Sequence, residues 1–528
     1  MISPKSLMKI ATTASVVAMT VPVAVVPAYA MQDIAIEDTP SSFAATVDDA
    51  QNSSNSMPDN PNATLPETVS ENISDDSTVV SENLAVTPEG DVQNIETGET
   101  VTDAQLVGTQ SQQPDPLAKT DGESFIPVSA SDVKDAVEQP VKQSAEQSSL
   151  KGGSTVRLTK FESNEYGAHW GTYNGTKAFF DYRNNLFAQQ AKGVIDVSSW
   201  QGDVDWAKAK ADGVEGAIIR LGYGWGNDAD TKAQRNISEC KRLGIPFGIY
   251  WYSYAEDAGG AKHEGSDVVS KLRQMGVSPN DLKYPVYYDL ERWTWTGHTP
   301  PTDPNVYNGI VNAWYGALQS SGYQNLGVYS YTSYLQGPLN NANIYAKTRW
   351  VAQYGARMEF AAFGTNDRGW QYTESGHING ISGSVDMSAF GVKELSQNVP
   401  IYRMYNRNSG LHHYTANYDE ALDLSLKGWL AEGISFFAAR EGNPVYRVYN
   451  PHDGNHHYTK DSEEKNYLVS LGWRDEGIGW FVPDEGKANV YRLYNPYSGD
   501  HVFTEDLEEY NSAGSVGWHK EGIAWQSN

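Results

Sequence analysis

Cysteine is nearly missing from this chain: 528 residues contain one, Cys240. No internal disulfide can therefore brace the fold. Cys240 falls in a helix-like run with Ile237 and Leu243 and reads as buried filler rather than a reactive thiol. Nothing in the sequence has the Cys/His spacing of a zinc site, so neither a metal nor a cofactor is expected. Positive charge is also scarce, with 39 Lys and Arg against 66 Asp and Glu and a formal charge of −27. That balance argues against a nucleic-acid partner, which needs a basic face. Long apolar runs are confined to the extreme N-terminus. Lys5 and Lys9 precede the small, apolar stretch 10–27, and Ala28-Tyr29-Ala30 comes next as a small-x-small cleavage site. Residues 1–30 read as a secretory signal peptide. Pro22 and Pro27 interrupt the run, and no later stretch is long enough to span a bilayer. The expected mature protein is extracellular, released or held on a surface by binding alone.

Aromatic residues are almost absent from 31–150, where 23 Asp and Glu accompany 3 Lys. Most of the net charge therefore resides there. Low hydrophobicity with high charge predicts a disordered acidic spacer or propeptide. Residues 151–190 differ: Tyr173, Phe179, Phe180 and Tyr182 make them too aromatic for a linker. They are expected to pack as an N-terminal extension on the domain that begins at residue 191.

From Gly193 onward, apolar strand-like runs alternate with amphipathic helical ones. Strands are predicted at 194–200, 216–224, 246–254, 284–291 and 326–331. Helices are predicted at 204–214 (capped by Asp203), 232–243, 260–275 and 306–320. Three further strands, 349–354, 369–373 and 384–390, have little helix between them. Eight strands with early alternation predict a closed, mostly parallel α/β barrel over 191–397. In such barrels chemistry gathers at the C-terminal strand ends. Four acids fall there: Asp196 on the first strand, Asp289 and Glu291 at the end of the fourth, and Asp386 on the last. Closure would bring the first strand beside the last. In a strand, Asp289 and Glu291 share a face, roughly 6.5–7 Å apart at Cβ. Paired carboxyls on that scale suit cleavage of a sugar–sugar bond, one giving a proton to the leaving oxygen while the other stabilises or attacks the anomeric centre. Aromatic residues crowd the same strand ends. Tyr223, Tyr252, Trp293, Tyr331, Tyr354 and Trp370 are candidate sugar-stacking positions, and the loop setting of Trp225, Trp293 and Trp295 predicts exposure.

Eight segments, in order, carry a specific resemblance: GVIDVSSWQGDVDW (193–206), GAIIRLGYG (216–224), PFGIYWYSYA (246–255), YPVYYDLE (284–291), GVYSYTSYL (327–335), RWVAQYG (349–355), GWQYTESG (369–376) and SVDMSAF (384–390). Together they resemble glycoside hydrolase family 25, the Chalaropsis-type lysozymes. The resemblance implies an irregular TIM-like barrel of five strand–helix units followed by three strands. It implies a peptidoglycan substrate, cut at the β-1,4 bond between N-acetylmuramic acid and N-acetylglucosamine. It also implies roles: Glu291 as general acid, Asp289 as the second essential carboxylate, Asp196 and Asp386 as supporting acids. Glu291 must then be protonated at rest, its pKa raised by Asp289 and partial burial, while Asp289 stays ionised. Asp289 could orient the substrate's acetamido group for internal attack or activate a water, and both routes stay open.

Residues 398–528 repeat three times with a period of about 45 residues. Ile401–Asn406 recurs as Val445–Asn450 and Val490–Asn495. His412-His413-Tyr414-Thr415 recurs at 456–459 and, altered, at 501–504. The Gly-Trp pair at 428–429 recurs at 472–473 and 517–518. Each copy reads strand, strand, short helix, strand, which predicts a mostly β, trefoil-like unit with pseudo-threefold symmetry. Three equivalent aromatic sites would give avidity for a repetitive cell-wall glycan. Against the hydrolase stands a non-catalytic glycan-binding or adhesion protein on a degenerate barrel, disfavoured by the presence of all four acids. A family 18 chitinase is disfavoured because Val286 and Tyr287 stand where its longer acidic pattern would require acids.

Overall fold

The computed structural model describes residues 65–137, 161–173, 176–396 and 398–528. The expected signal peptide, 1–30, lies outside them. Eight strands form a closed barrel: β1 (Lys192–Val197), β2 (Gly216–Tyr223), β3 (Phe247–Tyr252), β4 (Leu282–Asp289), β5 (Leu326–Tyr331), β6 (Thr348–Ala352), β7 (Gly369–Gly376) and β8 (Val385–Phe390). Strands β1 to β7 lie parallel in chain order. Strand β8 runs antiparallel to both β7 and β1 and closes the cylinder. Helices α1 (Trp206–Ala211), α2 (Ala233–Leu243), α3 (Ala258–Gln274) and α4 (Pro304–Ser320) come after β1 to β4 in turn, and two short helices come after β5.

Local chemistry sets these boundaries. The Asp257 carboxylate accepts from the Gly259 and Gly260 amides to start α3, and Pro304 occupies the first turn of α4 behind Asp303. Gly244, at φ +64°, stops α2 in the left-handed conformation. The cap of α1 is Asp205, not the expected Asp203. Asp203 is drawn off to Lys232, 2.7 Å away.

The barrel strands are covered on both faces, so their side chains sort by direction rather than polarity. In β4, Tyr288 turns outward, stacks on Trp314 of α4 with ring centroids 4.5 Å apart, and donates to buried Glu264 of α3 at 2.5 Å. Tyr287 turns inward against Trp350 and Phe390. With Tyr250 and Tyr329 these rings plug the barrel interior. Asp289, two residues beyond Tyr287, faces the same interior at its upper rim. Strand β4 ends there, so Glu291 sits two residues past the strand rather than on it.

Residues 161–189 contribute three antiparallel strands. Their Phe161, Trp170, Phe179 and Phe187 share the barrel's hydrophobic core. The expectation of disorder over 31–150 fails for residues 65–137. They form a four-stranded antiparallel sheet and the helix Ala130–Val137 around Ile73, Val79, Ala85, Ile95, Ala130 and Val133. The strands are only two or three residues long, so few apolar residues suffice for that core. Part of the segment also leans on the barrel, with Ile126 in the barrel core.

At the C-terminus, three successive units each run strand, strand, helix, strand over 398–439, 443–482 and 488–527. They meet around Tyr414, Tyr458, Phe503, Phe436, Trp480 and Trp525. In each unit an arginine and a histidine converge on one glutamate: Arg403 and His412 on Glu432, Arg447 and His456 on Glu476, Arg492 and His501 on Glu521.

Candidate active site

The four acids meet at one mouth of the barrel. Asp196 near the end of β1 and Asp386 near the start of β8 are direct partners in the antiparallel ladder, because the reversed strand begins where the others end. Asp289, the last residue of β4, pairs in register with Tyr252 of β3. Gln371 of β7 links the set. Its amide nitrogen donates to Asp196 Oδ2 at 3.0 Å and to Asp386 Oδ2 at 3.3 Å. Its oxygen accepts from the Tyr329 and Tyr354 hydroxyls at 2.7 and 3.0 Å. Two phenol donors thus fix which way the amide faces. Arg220 of β2, 1% exposed, forms one wall. Its Nε donates to Asp230 at 2.8 Å, and both terminal nitrogens point toward the mouth.

Burial shapes the electrostatics. It raises Glu291 to about 8, aided by the charge of Asp196, which leaves the carboxyl protonated near neutral pH. The helping charge is therefore Asp196 rather than the expected Asp289. Asp196 rises to about 6, again through burial, although hydrogen bonds from Gln371 and Asp386 oppose the rise. Asp386 is pushed well above the usual carboxylate range by burial and by Asp196. Asp289 is 4% exposed, and its Oδ1 has no hydrogen-bond partner among the described residues. Burial, Glu291 and Asp196 push it well up, against the expectation that it stays ionised.

The burial has a source that composition concealed: residues 103–127 lie across the mouth. The Val107 carbonyl accepts from the Thr296 amide at 2.9 Å, and the Thr109 carbonyl accepts from Trp295 Nε1 at 2.6 Å. Asp115 takes both terminal nitrogens of Arg220, at 2.7 and 3.0 Å, and accepts from Trp200 Nε1 at 3.3 Å. Ser124 Oγ donates to Asp386 Oδ2 at 2.6 Å. Leu117, Lys119 and Phe125 complete the lid of a cavity of about 80 Å³ floored by Asp196, Asp289 and Glu291.

Of the six aromatic candidates, Tyr252, Trp293 and Tyr354 line this cavity. The Tyr331 hydroxyl accepts from the Arg292 amide beside Glu291. Tyr223 is half-buried against Tyr254 and Arg220. Trp370 is misplaced by the sequence reading: it is fully buried on the outer face of β7, where it packs on Phe179 and Phe187 and donates to the Gln353 carbonyl. Its neighbour Gln371 points inward instead. Trp293 and Trp295, expected to be exposed, are buried, Trp295 under the 103–127 segment and the stacked His298 ring. Sequence reasoning missed Gln371 and Arg220 as site residues. A lone amide and a lone guanidinium within otherwise apolar strands were the signals available. Among the described residues no group of acids, histidines and cysteine has the arrangement to hold a metal ion.

Comparison with known proteins finds matches to two parts of the chain. Residues 195–381 match the model for glycosyl hydrolases family 25, and residues 400–528 match a domain of unknown function (DUF5648). The chain is 26% identical to the autolytic lysozyme of Clostridium acetobutylicum over 37% of its own length and 55% of that protein. It is 24% identical to lysozyme M1 of Streptomyces globisporus over 37% of its length and 66% of that protein. Among solved structures, the modular autolysin LytC from Streptococcus pneumoniae, in complex with a synthetic peptidoglycan ligand, is 35% identical with a TM-score of 0.39, covering 42% of this chain and 52% of that one. The chain thus spans about half to two thirds of the length of the curated relatives it matches.

Proposed function

We propose, from the premise that residues 195–381 belong to glycosyl hydrolases family 25, that this chain is an extracellular muramidase. It cuts the β-1,4 bond between N-acetylmuramic acid and N-acetylglucosamine in peptidoglycan. What supports this reading is the gathering of Glu291 with three further acids at one barrel mouth, where burial raises the Glu291 carboxyl to about 8. Glu291 gives its proton to the glycosidic oxygen as the bond to the anomeric carbon breaks. Asp289, whose Oδ1 has no partner among the described residues, accepts the N–H of the substrate's acetamido group, whose carbonyl attacks the anomeric carbon, or in its ionised form takes the proton of a water attacking the other side of that carbon. Asp196 and Asp386 share the Gln371 amide nitrogen as donor, and burial together with their mutual repulsion keeps the cluster from carrying four negative charges at once. The barrel reads as five strand–helix units followed by three strands, and the three C-terminal units as a repeat module that holds a wall glycan. No helix among the described residues is long and apolar enough to cross a membrane. The test is the Glu291→Gln variant on purified peptidoglycan. Loss of new reducing ends with an intact fold supports the reading, and undiminished turnover defeats it.

A further inference from the structure

The barrel mouth is an interaction surface, and its occupant is already on the chain. Residues 103–127 run between the third and fourth strands of the small N-terminal sheet. They are anchored at both ends, by Val92–Asn94 before and by Val128–Ser129 after. A loop held by a folded scaffold loses little conformational freedom on docking. Its contacts with the barrel are specific in chemistry. Three backbone carbonyls, of Val107, Thr109 and Gln110, meet the Thr296 amide, the Trp295 indole and the His298 ring. Gln113 accepts from Asn227 at 3.0 Å. Gly122, at φ +94°, lies flat on Trp200, where an added Cβ would come within 2.4 Å of the Trp200 Cβ. The deepest contacts are to the site itself: Asp115 on Arg220, and Ser124 on Asp386.

The space left over the acids is about 80 Å³. The open groove at the opposite end of the same barrel has about 940 Å³. Pockets for small-molecule ligands occupy about 300–1,000 Å³, so a disaccharide cannot enter while the segment is seated. The charged contact is complementary in sign: an Asp carboxylate bidentate on a buried guanidinium, the strong form of such a pair. A glycan carrying carboxylates would meet the same guanidinium once the segment had left.

We propose that residues 103–127 are a built-in occupant of the substrate cleft. They hold the hydrolase latent until displaced, with Asp115 seated on Arg220 as a stand-in for a substrate carboxylate. This rests on the muramidase reading for the identity of what is excluded. The occupancy itself can be tested without it.

Three measurements on the full chain decide the matter. Asp115→Ala removes the carboxylate, and Gly122→Val pushes the segment off Trp200 through a separate contact. Each is assayed on peptidoglycan by counting new reducing ends. Each is also placed in the Glu291→Gln background to measure binding of a soluble peptidoglycan tetrasaccharide. Because a closed fraction lowers apparent affinity in proportion, both changes should strengthen binding and speed turnover by about tenfold or more. Hydrogen exchange in the Glu291→Gln chain needs no segment variant: saturating tetrasaccharide should deprotect the amides of 103–127. Folded variants with unchanged binding and turnover, or amides that stay protected while the tetrasaccharide is bound, would overturn the proposal. Tighter binding with no reducing ends from any active-site-intact chain would sink the muramidase reading and leave the occupancy standing.

Discussion

The two ends of the barrel hold their carboxyl groups in opposite states. Where the strands begin, Glu215 is buried enough to raise its pKa, yet Lys177 at 2.8 Å, Lys192 at 2.9 Å and the Gly193 amide outweigh that and hold it down to about 2. Asp367 is likewise paired with Arg349. Where the strands end, Asp196, Asp289, Glu291 and Asp386 have no such lysine or arginine pairing among the described residues, and the buried Arg220 guanidinium beside them is already committed to Asp230 and Asp115. There burial is left to push the acids up. An acid that folding has neutralised with lysines serves stability. Acids crowded together without such partners make a candidate site for moving a proton.

Exchanging single acids at the two ends should break this comparison most visibly. Glu291→Gln is expected to lower turnover by about a thousandfold, within the range for a lost general acid, with the melting temperature unchanged or higher. Glu215→Gln should leave turnover intact and cost about 1–3 kcal/mol of stability, read by urea unfolding, because it weakens two charge-assisted contacts. Equal losses of activity from both would erase the distinction between the ends. Next in size is Gln371→Leu, which frees Asp196 and Asp386 from their shared donor and strands the Tyr329 and Tyr354 hydroxyls. Turnover should fall by about ten- to a hundredfold at the 1–3 kcal/mol typical of an unsatisfied buried group, measured against the unmodified chain.

Stability against pH sharpens the same contrast. Glu215 has a folded-state pKa lowered from 4.5 to about 2. Its contribution is present above about pH 4.5 and is lost as the pH falls through 2. Asp196 has a folded-state pKa raised from 3.8 to about 6. Its contribution is present below about pH 3.8 and is lost as the pH rises through 6. Urea unfolding across pH 2–8 should show Glu215→Gln flattening the acid side and Asp196→Asn flattening the slope between pH 4 and 6. The smallest expected effect is on the pH–rate profile. In the segment-displacing variants water reaches Glu291, so the alkaline limb near pH 8 should move downward.

Much of the barrel was legible in the sequence because its strands are continuous apolar and aromatic runs, and because acids stand at their ends. The same continuity hid side-chain direction. In β7 every residue but Ser375 is buried, so no alternation told Trp370 from Gln371, and the wrong one was assigned to the cleft. Arg220 passed as part of a strand although an inward charge there demands a partner. The cleft occupant was illegible for another reason. Averaged over 31–150, composition is acidic and polar, and strands of two or three residues leave no periodic trace. Asp115 and Ser124 acquire meaning only beside Arg220 and Asp386, a proximity no local pattern records.

The central claim, that the proton on Glu291 breaks a glycan bond at this mouth, has one direct measurement. Purified peptidoglycan is digested with the Asp115→Ala chain and with the same chain carrying Glu291→Gln, and the new reducing-end sugar is identified. The account predicts N-acetylmuramic acid ends from the first and essentially none from the second. Comparable yields from both, or N-acetylglucosamine at the new ends, would contradict it.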